Sequence, residues 1–203
     1  SPSKSIPYNE FIKTNHLVHC FIEEFVEGTM INCFYIPEVG WEMATKSNIG
    51  ANCKFASKKT FREMFLETWE GDFINNTILN KEYVYSFVLQ HPENRIVSIV
   101  STPKIVLVEL YQIINNEIIK FNIHNMKLPF PKPKIYKKKK NDTWKTVYTK
   151  FHNYDWNIMG CIIKNANLDR SKIRNQTYET IHKLKGNHNK LQYIYYNLRK
   201  MKK

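Results

Sequence analysis

Residues 21–36 read FIEEFVEGTMINCFYI. Apolar and β-branched residues flank Gly28 on both sides, which predicts a strand, a break and a second strand. Working outward, Trp41–Lys46 predicts a further short strand, entered through Gly40. Thr60–Trp69 predicts a helix. Thr60 and Glu63 have capping-box spacing, and Phe61, Met64, Phe65 and Trp69 share one face. Residues 83–90 predict a strand, 91–94 a turn and Arg95–Val100 a returning strand. Residues 104–114 are almost continuously apolar, as in a strand buried on both faces. Asn115-Asn116 then supplies a tight turn into 117–124. Strands are also expected at 158–164 and 172–174. The order predicts an α+β chain rich in antiparallel strands, with helices at its C-terminal end. There Gly186 can cap a first helix, and Leu191, Ile194, Tyr195 and Leu198 stripe a second.

Charge is distributed unevenly. The 203-residue chain has a formal charge of +13. Residues 127–150 hold nine lysines and one aspartate, and residues 182–203 hold seven Lys/Arg and no acid. The rest of the chain is therefore near neutral. Basic segments on a neutral body suit an anionic partner, and RNA or another nucleic acid is the class expected. A plain lysine bias is the competing reading. Residues 127–150, with prolines at 129, 131 and 133 and the run Lys137, Lys138, Lys139 and Lys140, predict an exposed basic loop. Trp144 stands beside that run as a base-stacking candidate, with core packing as its alternative. The expected organisation is a domain over 1–186, followed by a basic helix at 187–203 that could open a further domain. Beginning at Ser1 rather than Met, the chain reads as a piece of something longer.

The four cysteines form no C-x-x-C pair and are expected to be reduced thiols in an intracellular protein. His16, His19 and Cys20 lack a second ligand cluster at zinc spacing, so no metal site is expected. No apolar run reaches the ~20 residues of a membrane span.

Five short stretches, in order over about 21–185, resemble the motifs of the polynucleotide ligase and mRNA capping nucleotidyltransferase superfamily. Phe25-Val26-Glu27-Gly28-Thr29 resembles its Lys-x-Asp/Glu-Gly-Ser/Thr motif. Thr45-Lys46-Ser47-Asn48-Ile49-Gly50 resembles the basic stretch that follows. Tyr85-Ser86-Phe87-Val88, then Pro92-Glu93-Asn94-Arg95-Ile96-Val97, resembles phage tRNA-repair RNA ligases. Met159-Gly160-Cys161-Ile162 resembles Glu-Gly-x-Val, and Lys172-Ile173-Arg174 resembles Lys-x-Lys/Arg. Ligase-like proteins of large DNA viruses are similar over Phe21–Phe34, Trp41–Ala51 and Tyr83–Val97. The resemblance implies a nucleotidyltransferase (ATP-grasp-like ligase) core. It also implies a cytoplasmic protein, with a viral factory or virion as further settings.

The departures from the family pattern concern its chemistry. In the family the motif lysine attacks the α-phosphate of ATP or GTP, and that position is Phe25, which has no lone pair. The ribose-contacting Glu is Ser86. The metal-supporting Glu is Met159, a soft thioether unsuited to Mg²⁺. Glu27, Gly28, Thr29, Lys46, Lys164, Lys172 and Arg174 remain candidates for nucleotide or phosphate contact. The glycines could equally be turn residues, Glu27 a buried structural acid, and Lys172 and Arg174 solvated charges. Three functions follow. The first is a degenerate, non-catalytic domain binding RNA, nucleotide or a protein partner, with no cofactor. The second is an active RNA ligase using ATP and Mg²⁺ through an unorthodox nucleophile. The third is a structural or virion-assembly subunit on the ligase scaffold.

Overall fold

Residues 4–55, 57–185, 195–196 and 199–200 are described in a computed structural model of the chain. The expected cap at Gly186 and most of the second C-terminal stripe lie outside the described residues. The element order is α1 (Tyr8–Thr14), β1 (Phe21–Glu24), β2 (Thr29–Ile36), β3 (Gly40–Ala44), α2 (Phe61–Thr68), β4 (Tyr83–Gln90), β5 (Lys104–Ile114), β6 (Glu117–Phe121), β7 (Ile135–Tyr136), α3 (Trp144–His152), β8 (Gly160–Lys164), β9 (Arg170–Arg174) and α4 (Gln176–Lys185). They form two antiparallel sheets. The larger has the order β3-β2-β4-β5-β6 and the smaller β7-β1-β8-β9.

Each sheet packs helices on one face. Met64 and Phe65 of α2 join Ile31, Trp41, Tyr85, Phe87 and Leu107 in the larger core. Phe11 of α1 and Val147 and Phe151 of α3 pack on Ile22, Cys161, Ile163 and Ile173 of the smaller sheet. A valine patch, Val26, Val88 and Val106, lies on the opposite face of the larger sheet. Burying each large apolar side chain contributes about 1.5–3 kcal/mol. The local signals hold: Thr60 and Glu63 close the capping box, and Asn115 and Asn116 both take positive φ in the β5–β6 turn.

One irregularity in β5 positions the later site. Ser86 pairs with Glu109 and Phe87 with Leu107, so Val108 is an extra residue. Leu107 and Leu110 both stay in the core. Val108 and Glu109 both reach the other face, where Val108 packs on the valine patch and Glu109 pairs with Arg170.

Two expectations are corrected. Residues 95–100 form no strand. Their backbone groups are taken by side chains instead: the N–H groups of Val97 and Ser98 donate to the Glu27 carboxylate at 2.7 and 3.0 Å. Lys185 Nζ donates to the carbonyls of Arg95 and Ile96. Arg95 braces its own loop by donating from Nε to the carbonyl of Val97. The stretch 127–150 is likewise not one exposed loop. It contains β7 and the start of α3, which buries Val147. The Pro131 carbonyl accepts from Leu107 N–H at 2.8 Å, which fastens the proline run to β5. An amphipathic turn hidden among lysines outweighs the segment's loop-like composition.

Gly28 and Gly160 are sites of close backbone approach. A Cβ on Gly160 would lie 2.0 Å from the Ile173 carbonyl oxygen, at φ +139°. Gly160→Ala is therefore expected to lower unfolding free energy by about 2–4 kcal/mol. Gly71→Ala, also at positive φ but with nothing within 4 Å, should cost only about 1–2 kcal/mol. Chemical denaturation of both variants measures the contrast. Glu27→Ala strands two backbone donors and should cost about 3 kcal/mol in the same assay. Glu27→Gln, which keeps an acceptor, should cost less.

Candidate functional site

The two sheets enclose a cleft lined by the faces that carry no helices. Its inner cavity, about 120 Å³, is bounded by Met30 of β2, Val88 of β4, Val108 of β5 and Ile162 and Lys164 of β8. Four strands, β2, β4, β5 and β8, thus meet at one cleft. Phe25, Gly28 and Met159 complete the wall. A second, more polar cavity of about 200 Å³ shares Glu24, Phe25 and Met159 and opens past Ser98 and Asn157. Phe25 and Met159 therefore stand between an inner apolar space and an outer polar one.

Phe25 lines this cleft; it follows directly on β1 and donates its N–H to the Gly160 carbonyl. The Arg174 guanidinium lies 5.7 Å from the Phe25 ring centroid, within cation–π range. Arg174 also pairs with Glu179. Along β9, Arg170, Lys172 and Arg174 fall on one face by strand alternation. Partial burial, then the neighbouring Arg174 and Arg170 charges, hold the Lys172 ammonium below the usual lysine range. An anion beside it would relieve that repulsion.

Glu27 is turned away from this chemistry. Its carboxylate accepts from Val97 N–H, Ser98 N–H and the Ser98 hydroxyl. Tyr178 is bonded to it too, and burial followed by the Glu27 charge pushes that phenol far above its ordinary range. A carboxylate so occupied has little left for a cation. With a thioether at Met159, the donor set does not fit Mg²⁺. Among the described residues no three His, Cys, Asp or Glu side chains cluster as a metal site.

The remaining candidates are dispersed. Ser86 lies on the cleft side of β4 but is fully buried, donating to Asn32 Oδ1 at 2.7 Å. Thr29 accepts from Asn94 through its hydroxyl, on the side of β2 opposite Met30. Lys46 is exposed in the bend after β3. Lys137, Lys139 and Lys140 are exposed, whereas Lys138 is half-buried, with Nζ donating to the carbonyls of Leu17, Val18 and Cys20. Trp144 packs edge-on against Tyr8 and Phe11.

A buried charged cluster lines the cleft around Lys164; of its members only Lys164 was a candidate from sequence. Lys164 Nζ lies 2.6 Å from Glu23 Oε1, and His124 Nε2 lies 2.8 Å from Glu23 Oε2. Arg170 and Glu109 pair at 2.7 Å beside them. The available signal was an acid inside an otherwise apolar strand, since buried carboxylates are nearly always paired.

No protein-family model matches the chain. It is 32% identical over 95 residues to an RNA ligase of Rhodothermus phage RM378, which covers 42% of this chain and 21% of that protein. It is 26% identical over 193 residues to the immediate-early protein ICP-46 homolog of Invertebrate iridescent virus 3, covering 91% of this chain and 41% of that protein. Among solved structures, a variant of the Naegleria gruberi RNA ligase with ATP and Mn superposes with a TM-score of 0.59 at 11% identity. That match covers 90% of this chain and 58% of the other, and an apo variant of the same ligase superposes equally well. The chain thus spans well under two thirds of each of these proteins. In sequence likeness and in fold, it fits the RNA ligase/nucleotidyltransferase superfamily.

Proposed function

We propose that this chain is a degenerate, non-catalytic RNA-ligase-like domain that binds RNA, in a viral and intracellular setting. The observation that carries the reading is Phe25. It lines the cleft where the family presents its nucleophilic lysine, and carbon cannot supply the electron pair that bonds phosphorus. Glu27, engaged by the 97–98 backbone, and Met159 support the same conclusion for the metal. RNA binding is supported by the exposed lysines at 127, 134, 137, 139, 140, 145 and 150, and by Lys172 and Arg174, exposed on β9. The likeness to RNA ligases and to an iridovirus protein points the same way. No helix among the described residues is long and apolar enough to cross a membrane.

One observation favours the active-enzyme alternative: Lys164 lines the same cavity as Phe25. Its Nζ is held by Glu23 at 2.6 Å, however, and an amine tied to a buried carboxylate is not positioned to attack a phosphate. Incubation with labelled ATP or GTP and a divalent ion should leave the protein without a covalent nucleotide, read by gel and intact mass. Phe25→Lys alone should not restore labelling. An adduct on the unmodified chain that disappears in Lys164→Arg would replace this reading with the active one.

RNA binding is expected to be weak, tolerant of sequence and steeply salt-dependent. Each phosphate neutralised on a single strand contributes roughly 0.7 to the log–log salt slope. Replacing Lys137, Lys139 and Lys140 with Ser, while leaving the structural Lys138, should reduce both affinity and slope, by up to about 2 in slope if all three engage. The melting temperature should not move. Unchanged binding would remove this stretch from the RNA surface.

A further inference from the structure

Three of the four tryptophans pack against another ring: Trp41 against Tyr85, Trp69 against Phe65 and Trp144 against Phe11. Trp156 is 45% exposed and has no ring partner among the described residues. It sits at the tip of a turn in which the Ile158 N–H donates to the Asp155 carbonyl at 3.0 Å. Small or polar residues are usual there, because an apolar ring at a tip gives up the burial that would stabilise it. The turn is nevertheless held firmly. Asn175, fully buried, shares its side-chain N–H groups among the carbonyls of Tyr154, Asp155 and Ile158 at 3.0, 2.7 and 2.9 Å. Its backbone N–H donates to the Met159 carbonyl, and the Ser98 hydroxyl donates to the Asn157 carbonyl. A ring presented on so fixed a backbone loses little conformational freedom when a ligand covers it.

The surroundings of the ring indicate its ligand. Trp156 and Arg174 are each one residue from the hydrogen bond that joins Asn175 to Asp155, so ring and guanidinium belong to one corner of the smaller sheet. Lys172 is exposed on the same strand face as Arg174, and Asp155 is the one acid of the turn. Asn157, the other tip residue, lines the outer polar cavity with Phe25 and Met159, which puts the turn at the mouth of the cleft. Single-stranded nucleic acid is held by this combination, an aromatic face for a base and neighbouring cations for the backbone. We infer that Trp156 is a base-stacking platform of the RNA surface, taking one unpaired nucleobase whose flanking phosphates lie toward Lys172 and Arg174. The inference rests on the RNA-binding reading above and adds a ligand class to it: unpaired rather than duplex RNA.

The test is to titrate the intact chain with a short single-stranded RNA, following tryptophan emission and the anisotropy of labelled RNA. Stacking should quench Trp156, and Trp156→Phe should remove the quench. Trp156→Ala should weaken binding roughly 5- to 100-fold, the loss of one stacked base. It should leave the melting temperature and the salt slope unchanged, because no phosphate contact is lost. The same strand made fully abasic keeps every phosphate. It should bind the parent more weakly, and Trp156→Ala should weaken it no further. A blunt duplex should not quench. RNA binding that leaves the emission unchanged and survives Trp156→Ala overturns the inference while the RNA-binding reading stands. An equal loss on the abasic strand also overturns it, since the ring would then serve the backbone and not a base. Absence of any RNA binding at moderate salt overturns both readings.

Discussion

The two sheets are held at a fixed separation by charges buried between them. Lys164 pairs at 2.6 Å with Glu23 of the neighbouring strand in its own sheet, and its Nζ also reaches the Val108 carbonyl across the gap at 3.4 Å. His124, just after β6, takes the other oxygen of Glu23, and Arg170 crosses to Glu109. Taking such charges out of water costs several kcal/mol per ion, so pairs of this kind are poor sources of net stability. Their effect is geometric. An apolar interface could slide, whereas a carboxylate shared by an ammonium and an imidazole admits few alternatives. The cleft and the position of Phe25 depend on that separation. Glu27 ties the other end, joining the β1–β2 connection to residues 97–98.

This arrangement gives the fold supports that call on no catalytic residue. The glycines beside the replaced residues serve the backbone. Any Cβ at Gly28 or Gly160 would collide with a carbonyl of the neighbouring strand. Glu27 likewise serves the fold, with four donors around it. Phe25 and Met159 line the cleft, Phe25 with the Arg174 guanidinium over its ring.

Much of the fold was legible in the sequence because local signals were strong and agreed with one another. The capping box at Thr60, the Asn115-Asn116 turn and the apolar run of β5 each specify their element without tertiary help. Two things were not legible. The extra residue at Val108 leaves no mark in the sequence, yet it alone turns Glu109 toward Arg170. The stretch 95–100 has the composition of a strand, but Glu27 and Lys185, both distant in sequence, satisfy its backbone first. At the site, the motif positions Phe25, Gly28 and Met159 meet in one cavity, and Lys164, which no motif spacing supported, joins them there. Motif spacing did not foresee that Lys138 is tied to three carbonyls, because which of four adjacent lysines turns inward is decided by a distant loop.

The central claim is that the cleft has lost its metal-dependent nucleotide chemistry, and calorimetric titration of ATP with and without Mg²⁺ or Mn²⁺ tests it most directly. With Glu27 engaged by backbone donors and a thioether at Met159, any ATP binding through Lys172 and Arg174 should have the same affinity in chelator as in metal. Tight binding that appears only when the divalent ion is added would contradict the claim.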